Sequence, residues 1–236
     1  MNNKLRITIR ILAVIVIILS LYYIIMTNAQ YKKAEAEYTD LNTYTEEVRD
    51  FIAVDYDSLS SINKDFIGWL YACDGNISYP VVQSRDNEEY LKTTFNGSRN
   101  IAGCIFADYR TPAFDNYQTI IYGHSMNDGS MFRRLVEYKD AEYCKRYPYF
   151  YIYTPDGRRK YEIFSVYKKS PVDAVLAYED IPEERPALVK KIEEGSMYKI
   201  SAPDNIVSGG GAVVTLITCD VSNDYYRIVV NGKRVE

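Results

Sequence analysis

Three residues of this chain have the types needed for acyl transfer through a thioester: His124, Cys219 and Arg227. A cysteine thiolate attacks an acyl carbon, an imidazole moves the proton, and a fixed cation offsets the charge that collects on the tetrahedral oxyanion. Guanidinium suits the last task because it stays charged and presents a rigid fork. His124 is the only histidine in the chain and lies in Ile121-Tyr122-Gly123-His124-Ser125-Met126, at the end of an apolar run. A strand end is where a scaffold presents functional groups. Cys219 closes the run Gly211-Ala212-Val213-Val214-Thr215-Leu216-Ile217-Thr218 and precedes Asp220. Arg227 opens Arg227-Ile228-Val229-Val230, which could return antiparallel and bring Cys219 and Arg227 to neighbouring strand ends on one sheet edge. A lone histidine is more often a core or surface residue without a role. The company of a strand-end thiol and a strand-end guanidinium turns the reading toward catalysis.

The elements that must position these groups read mostly as β-structure. Short β-rich runs bounded by turn residues cover 77–83, 101–107, 118–122, 150–154, 161–168, 197–200, 212–219 and 226–230. Pro155-Asp156-Gly157 is a hairpin turn between the fourth and fifth of them. Helical patterns fall at 87–94, 130–138 and 182–194, with Pro182 in the first turn of the last, where a missing N–H costs nothing. Many short strands with inserted, non-alternating helices predict a closed β-barrel with peripheral helices and speak against a doubly wound sheet. Residues 30–50 read as a helical stalk, and 55–65 as a second short helix capped by Asp57 or Ser58. Ser208-Gly209-Gly210-Gly211 lacks the spacing of a phosphate loop and leads into a strand, so it reads as a flexible connection.

The N-terminal segment reads as one that exports the rest of the chain. Lys4, Arg6 and Arg10 precede an apolar run from Ile11 to Met26. As a helix that run rises roughly 24 Å, and Leu5, Ile7 and Ile9, with the arginines snorkelling, bring it to bilayer thickness. The basic flank places the N-terminus in the cytoplasm and the rest outside. Thr27-Asn28-Ala29 faintly resembles a signal-peptide cleavage site, but Tyr22 and Tyr23 suit an interfacial belt, which favours a retained anchor. The expected organisation is a cytoplasmic tip and anchor over 1–28, a stalk over 29–54 and a catalytic barrel over 55–236. A net charge of -4 gives no electrostatic reason to expect nucleic acid as a partner. Cys73, Cys104, Cys144 and Cys219 permit two disulfides in an exported chain, though their spacing prefers no pairing. One histidine and no close cysteine pair make a poor zinc set.

Thr215-Leu216-Ile217-Thr218-Cys219, with Arg227 on the next strand and Tyr122-Gly123-His124 upstream, closely resembles the signature of sortases. The resemblance runs over about residues 55–236. Asn63-Lys64-Asp65-Phe66-Ile67-Gly68-Trp69-Leu70, Tyr79-Pro80-Val81-Val82-Gln83, Asp86-Asn87 with Tyr90-Leu91, and Gly129-Ser130-Met131-Phe132 all look like the class B branch. So does the helix-bearing segment 172–195. The resemblance implies an eight-stranded sortase barrel with N-terminal and peripheral helices. It implies an enzyme without cofactor that cuts a C-terminal sorting signal after Thr, holds the protein as a thioacyl intermediate, and passes it to an amine of a lipid-linked peptidoglycan precursor. Its partners would be surface proteins bearing that signal. Asn87, Leu91, Leu176 and Asp220 match class B positions at the substrate groove.

The chain departs from the branch at Ile217, where Ser is usual, at Val175, where an aromatic is common, and in the short loop between Cys219 and Arg227. These departures bear on the sorting motif. Anchoring of proteins is preferred over pilin polymerisation because most class B members resemble the former use. Among other wall-acting cysteine enzymes, L,D-transpeptidases carry a Gly before the nucleophile, which is absent here, and papain-like peptidases run Cys before His. A catalytically dead surface scaffold would need none of the three groups.

Overall fold

The β-rich half of the chain closes on itself, and the closure sets the site. The structure, a computed structural model, describes residues 3–48, 51–169, 176–200, 209–219 and 226–236, with Cys219 described by its backbone alone. Strands β3 (Phe66–Ala72), β4 (Ile77–Val82), β5 (Ile105–Ala107), β6 (Gln118–His124), β7 (Tyr149–Thr154), β8 (Gly157–Lys169), β9 (Val213–Cys219) and β10 (Arg227–Arg234) form a closed barrel. Their order around it is β10-β8-β7-β3-β4-β5-β6-β9, with β9 pairing back to β10. The neighbours run antiparallel except β4 with β5 and β6 with β9, which are parallel. The expected eight-stranded barrel is therefore present. Pro155 and Asp156 make the tight turn between β7 and β8, whose register ends on Thr154 opposite Gly157.

Alternation divides the side chains of the site strands. Ile121, Val214, Leu216, Ile228 and Val230 join the main core. Ile120, Val213, Ile217 and Val229 face the other way, into a second cluster with Phe164 and Tyr167, covered by Ile192 of α4 (Arg185–Glu194). These strands are apolar on both faces, which is why their sequence reads as continuous Val/Ile/Leu.

Helix α1 spans Asn3–Leu41 without interruption. From Leu5 to Met26 its large apolar side chains stand exposed, and it is long and apolar enough to cross a membrane, an 18-residue stretch of it having a mean hydropathy of 2.6. Further along, Ala34, Tyr38 and Leu41 are buried against the barrel. The helical stalk expected over 30–50 stops at Leu41. Thr45–Val48 (β1) and Phe51–Val54 (β2) instead pair as an antiparallel hairpin, consistent with the strand preference of the β-branched Thr45, Val48, Ile52 and Val54. The second helix, α2 (Tyr56–Ile62), is capped by Asp55 rather than Asp57 or Ser58, since Asp55 accepts from the Ser58 N–H at 3.0 Å.

Four further expectations need adjustment. Residues 101–104 turn instead of extending, because Gly103 takes φ 58°, leaving only Ile105–Ala107 paired. Residues 197–200 form no strand; Met197 donates one bond to the Val166 carbonyl and the chain bends away, Ser196 Oγ bonding the Tyr198 carbonyl. The helical patterns at 87–94 and 130–138 tighten to 3₁₀ turns, Glu89–Leu91 and Phe132–Lys139. β3 and the short α3 (Ala141–Arg146) were not among the expected elements.

Candidate active site

Parallel pairing of β6 with β9 puts His124 opposite Cys219 as the last pair of the ladder. On the other side of β9, the antiparallel register with β10 pairs Val229 with Ile217 and carries Arg227 to the same end of the sheet. Three residues from separate parts of the sequence thus meet at one barrel rim. Arg227 is half-buried, and its Nη1 donates to the Thr218 carbonyl at 3.2 Å. Thr218 Oγ1 accepts the Ile228 N–H at 3.0 Å, which ties the end of β9 to β10 beside the cysteine.

His124 is 3% exposed. Its Nε2 lies 2.6 Å from the Leu91 carbonyl oxygen. A carbonyl only accepts, so in the neutral ring Nε2 carries the hydrogen and Nδ1 is the basic nitrogen. Leu91 therefore sits at the site through its backbone, a role that its side-chain type does not advertise. Gly123 precedes His124 because the strand is packed there: a Cβ would come within 2.7 Å of the Phe132 ring.

The other expected groove residues divide. Asn87 accepts the Tyr109 N–H on Oδ1 at 3.1 Å, so it braces the segment after β5. Leu176 packs against the outer cluster that includes Ile120 and Ile217. Asp220 and Val175 lie outside the described residues.

An ion pair beside this face, between a buried carboxylate and an exposed guanidinium, was not foreseen. Asp108, whose side chain is fully buried, receives both prongs of Arg110, at 2.9 and 2.6 Å, and the Tyr122 hydroxyl at 2.9 Å. Burial works to raise the Asp108 carboxyl, but these donors outweigh it and hold it below the usual range. The Arg110 guanidinium also lies 3.9 Å from the Tyr178 ring centroid, joining the β5–β6 connection to the segment before α4. Only the Asp-x-Arg spacing hints at the pair in the sequence. A cleft of about 750 Å³ lined by Tyr117, Leu176, Tyr178 and Leu188 opens at the Gln118 end of β6, opposite His124.

Cys73, Cys104 and Cys144 are buried free thiols. Burial raises all three, Cys104 to about 12, so each is held as an inert thiol.

Known proteins resemble this chain in sequence and fold. A family model described as the sortase domain matches residues 72–235. A protein of Listeria monocytogenes named sortase B is 38% identical over 194 residues, covering 80% of this chain and 76% of that protein. The crystal structure of sortase B from Bacillus anthracis is 32% identical, with a TM-score of 0.75 over 88% of this chain and 99% of that one. A Staphylococcus aureus sortase B–substrate complex superposes with a TM-score of 0.75 at 25% identity, over 88% of this chain and 99% of that one.

Proposed function

The chain belongs to the sortase family, in its class B branch, and from that premise we propose that Cys219, His124 and Arg227 cleave a C-terminal sorting signal and transfer the protein to an amine of a peptidoglycan precursor. The observation that carries the proposal is the strand register, which sets His124 opposite Cys219 with Arg227 on the flanking strand. His124 Nδ1 takes the thiol proton as the Cys219 sulfur attacks the carbonyl carbon of the Thr itself. The C–N bond then breaks, the proton passes from the imidazolium to the departing amine, and the protein remains as a thioester. The acceptor amine attacks that thioester, gives a proton to His124, and releases the thiolate with a new amide bond. Arg227 offsets the oxyanion charge in both halves. Asn87, Leu91, Leu176 and Asp220 are assigned to the groove that receives the sorting signal.

The exposed apolar stretch of α1 supports a single-pass anchor, with Lys4, Arg6 and Arg10 on the cytoplasmic side and the barrel outside. On this reading 1–28 is tip and anchor, 29–54 the stalk and 55–236 the catalytic unit. Protease added to intact cells should remove the barrel; full protection would reverse the orientation. The enzymatic proposal is tested by incubating the full-length chain in detergent with a sorting-peptide library and candidate amines, and identifying products by mass spectrometry. Cleavage after Thr with amine-linked product is expected. Cleavage elsewhere, or none across the library, would reject it.

A further inference from the structure

The lower half of α1 is tied to the segment that holds His124. Glu37 uses both carboxylate oxygens there, accepting from Thr94 Oγ1 and from the Asn96 N–H, each at 2.9 Å. About two turns earlier, Gln30 accepts from Asn100 Nδ2 on its backbone carbonyl at 2.9 Å and from the Ile101 N–H on Oε1 at 3.1 Å. Tyr38 donates its hydroxyl to the Gly103 carbonyl. All five bonds land on residues 94–103, the loop that follows Leu91.

That loop has little freedom to move alone. Asn100 N–H bonds the Lys92 carbonyl at 2.8 Å, and Cys104 N–H bonds the Tyr90 carbonyl at 2.9 Å, so the two ends of the loop are stitched on either side of Leu91. Gly103 packs so closely that a Cβ would come within 2.9 Å of the Leu91 carbonyl oxygen. The same oxygen accepts from His124 Nε2. On the far side of His124 in sequence, Tyr38 stands edge-on to Tyr79 at 5.3 Å, whose hydroxyl accepts the Met131 N–H at 2.9 Å. The helix therefore braces both the segment before His124 in space and the loop after it in sequence.

We infer that α1 is a positioning element for His124: Gln30, Glu37 and Tyr38 fix the 92–104 loop, and through it the Leu91 carbonyl that selects the Nε2–H tautomer and leaves Nδ1 basic. The membrane-facing helix and the proton-transfer group are then parts of one unit. This inference rests on the proposed role of His124, but its test does not require turnover.

Because the chain has one histidine, ¹⁵N-histidine labelling of the full-length protein in detergent gives the ring signals of His124 alone. The variants are Glu37→Ala, Glu37→Gln, and Lys33→Ala as an exposed control on the same helix. Wild type and Lys33→Ala should show a single Nε2–H tautomer. Glu37→Ala should show mixed tautomers, with kcat down roughly 10- to 100-fold and KM within about twofold. Glu37→Gln, which keeps one acceptor, should fall between. A folded Glu37→Ala with wild-type ring signals overturns the inference, whatever its thermal midpoint. If Glu37→Ala does not fold, wild-type signals in Glu37→Gln overturn it equally. Should the wild type cleave no sorting peptide, the functional reading fails and the ring signals still decide the positioning claim.

Discussion

Gly123→Ala measures how tightly the structure packs behind the proposed proton-transfer group. Gly123 lies within β6 and its backbone is not in the left-handed region, so glycine is there for space rather than for conformation. An added Cβ would meet the Ile105 side chain and come within 2.7 and 2.8 Å of Phe132 Cγ and Cδ2. Both neighbours are fully buried and have no route into solvent. Ordinary contact needs the Phe132 ring to retreat by about 1 Å, and forcing a methyl into a packed core costs about 1–3 kcal/mol. Against this, alanine reduces the entropy of the unfolded chain, a gain of about 0.4–1 kcal/mol. Packing wins, for a net loss of about 1–2 kcal/mol and a fall in Tm of about 2–8 °C for a domain of this size. Gly195→Ala is the internal control. Its Cβ would meet nothing closer than 3.5 Å and its φ is ordinary, so it should leave Tm unchanged or raise it slightly. Thermal unfolding of the two purified variants beside wild type is the assay. A Gly123→Ala protein as stable as wild type would refute the packing argument.

Other expectations follow from the charges and thiols. Asp108 is held below its ordinary value in the folded state, so its contribution is present above about pH 4 and is lost as pH falls through the lowered folded-state value. Denaturant unfolding should accordingly show Asp108→Asn less stable than wild type at neutral pH, with the gap closing in acid; a gap independent of pH would contradict the assignment. Cys73, Cys104 and Cys144, buried and raised, should resist a maleimide under native conditions and react after denaturation, and rapid native labelling of any of them would show that its burial is wrong. Arg227→Lys keeps the charge and loses the fork; turnover should drop by about 10²–10³ with peptide affinity little changed. A variant that only melts earlier would reduce Arg227 to a support for the β9–β10 hairpin.

What could be read before folding, and what could not, divides along physical lines. Strand ends are legible because apolar runs stop abruptly, as at Cys219 before Asp220 and at His124 after Gly123. The return of Arg227 beside Cys219 follows from hairpin geometry. The Leu91 carbonyl was hidden because a backbone acceptor is the same at every residue, and its partner stands 33 positions away. The docking of α1 was hidden too: Gln30 and Glu37 look like solvent-facing residues of any polar helix, and only the folded loop supplies the N–H and hydroxyl groups that they receive. The β1–β2 hairpin was misread as helix because Glu46 and Glu47 suit a helix locally, while pairing with the next four residues outweighs propensity. Asp108 and Arg110 were passed over because their meaning depends on Tyr122 and Tyr178, which reach them from other elements.

The central claim is that Cys219 forms a thioester on a scaffold where the other three cysteines are bystanders. Intact-protein and peptide mass spectrometry, after acid quenching of the full-length chain mixed with an intact sorting peptide that it cleaves, tests it directly. The account predicts an acyl adduct confined to the peptide containing Cys219, absent from Cys219→Ala, and retained when Cys73, Cys104 and Cys144 are all replaced. An adduct on any other cysteine, or undiminished cleavage by Cys219→Ala, would contradict it.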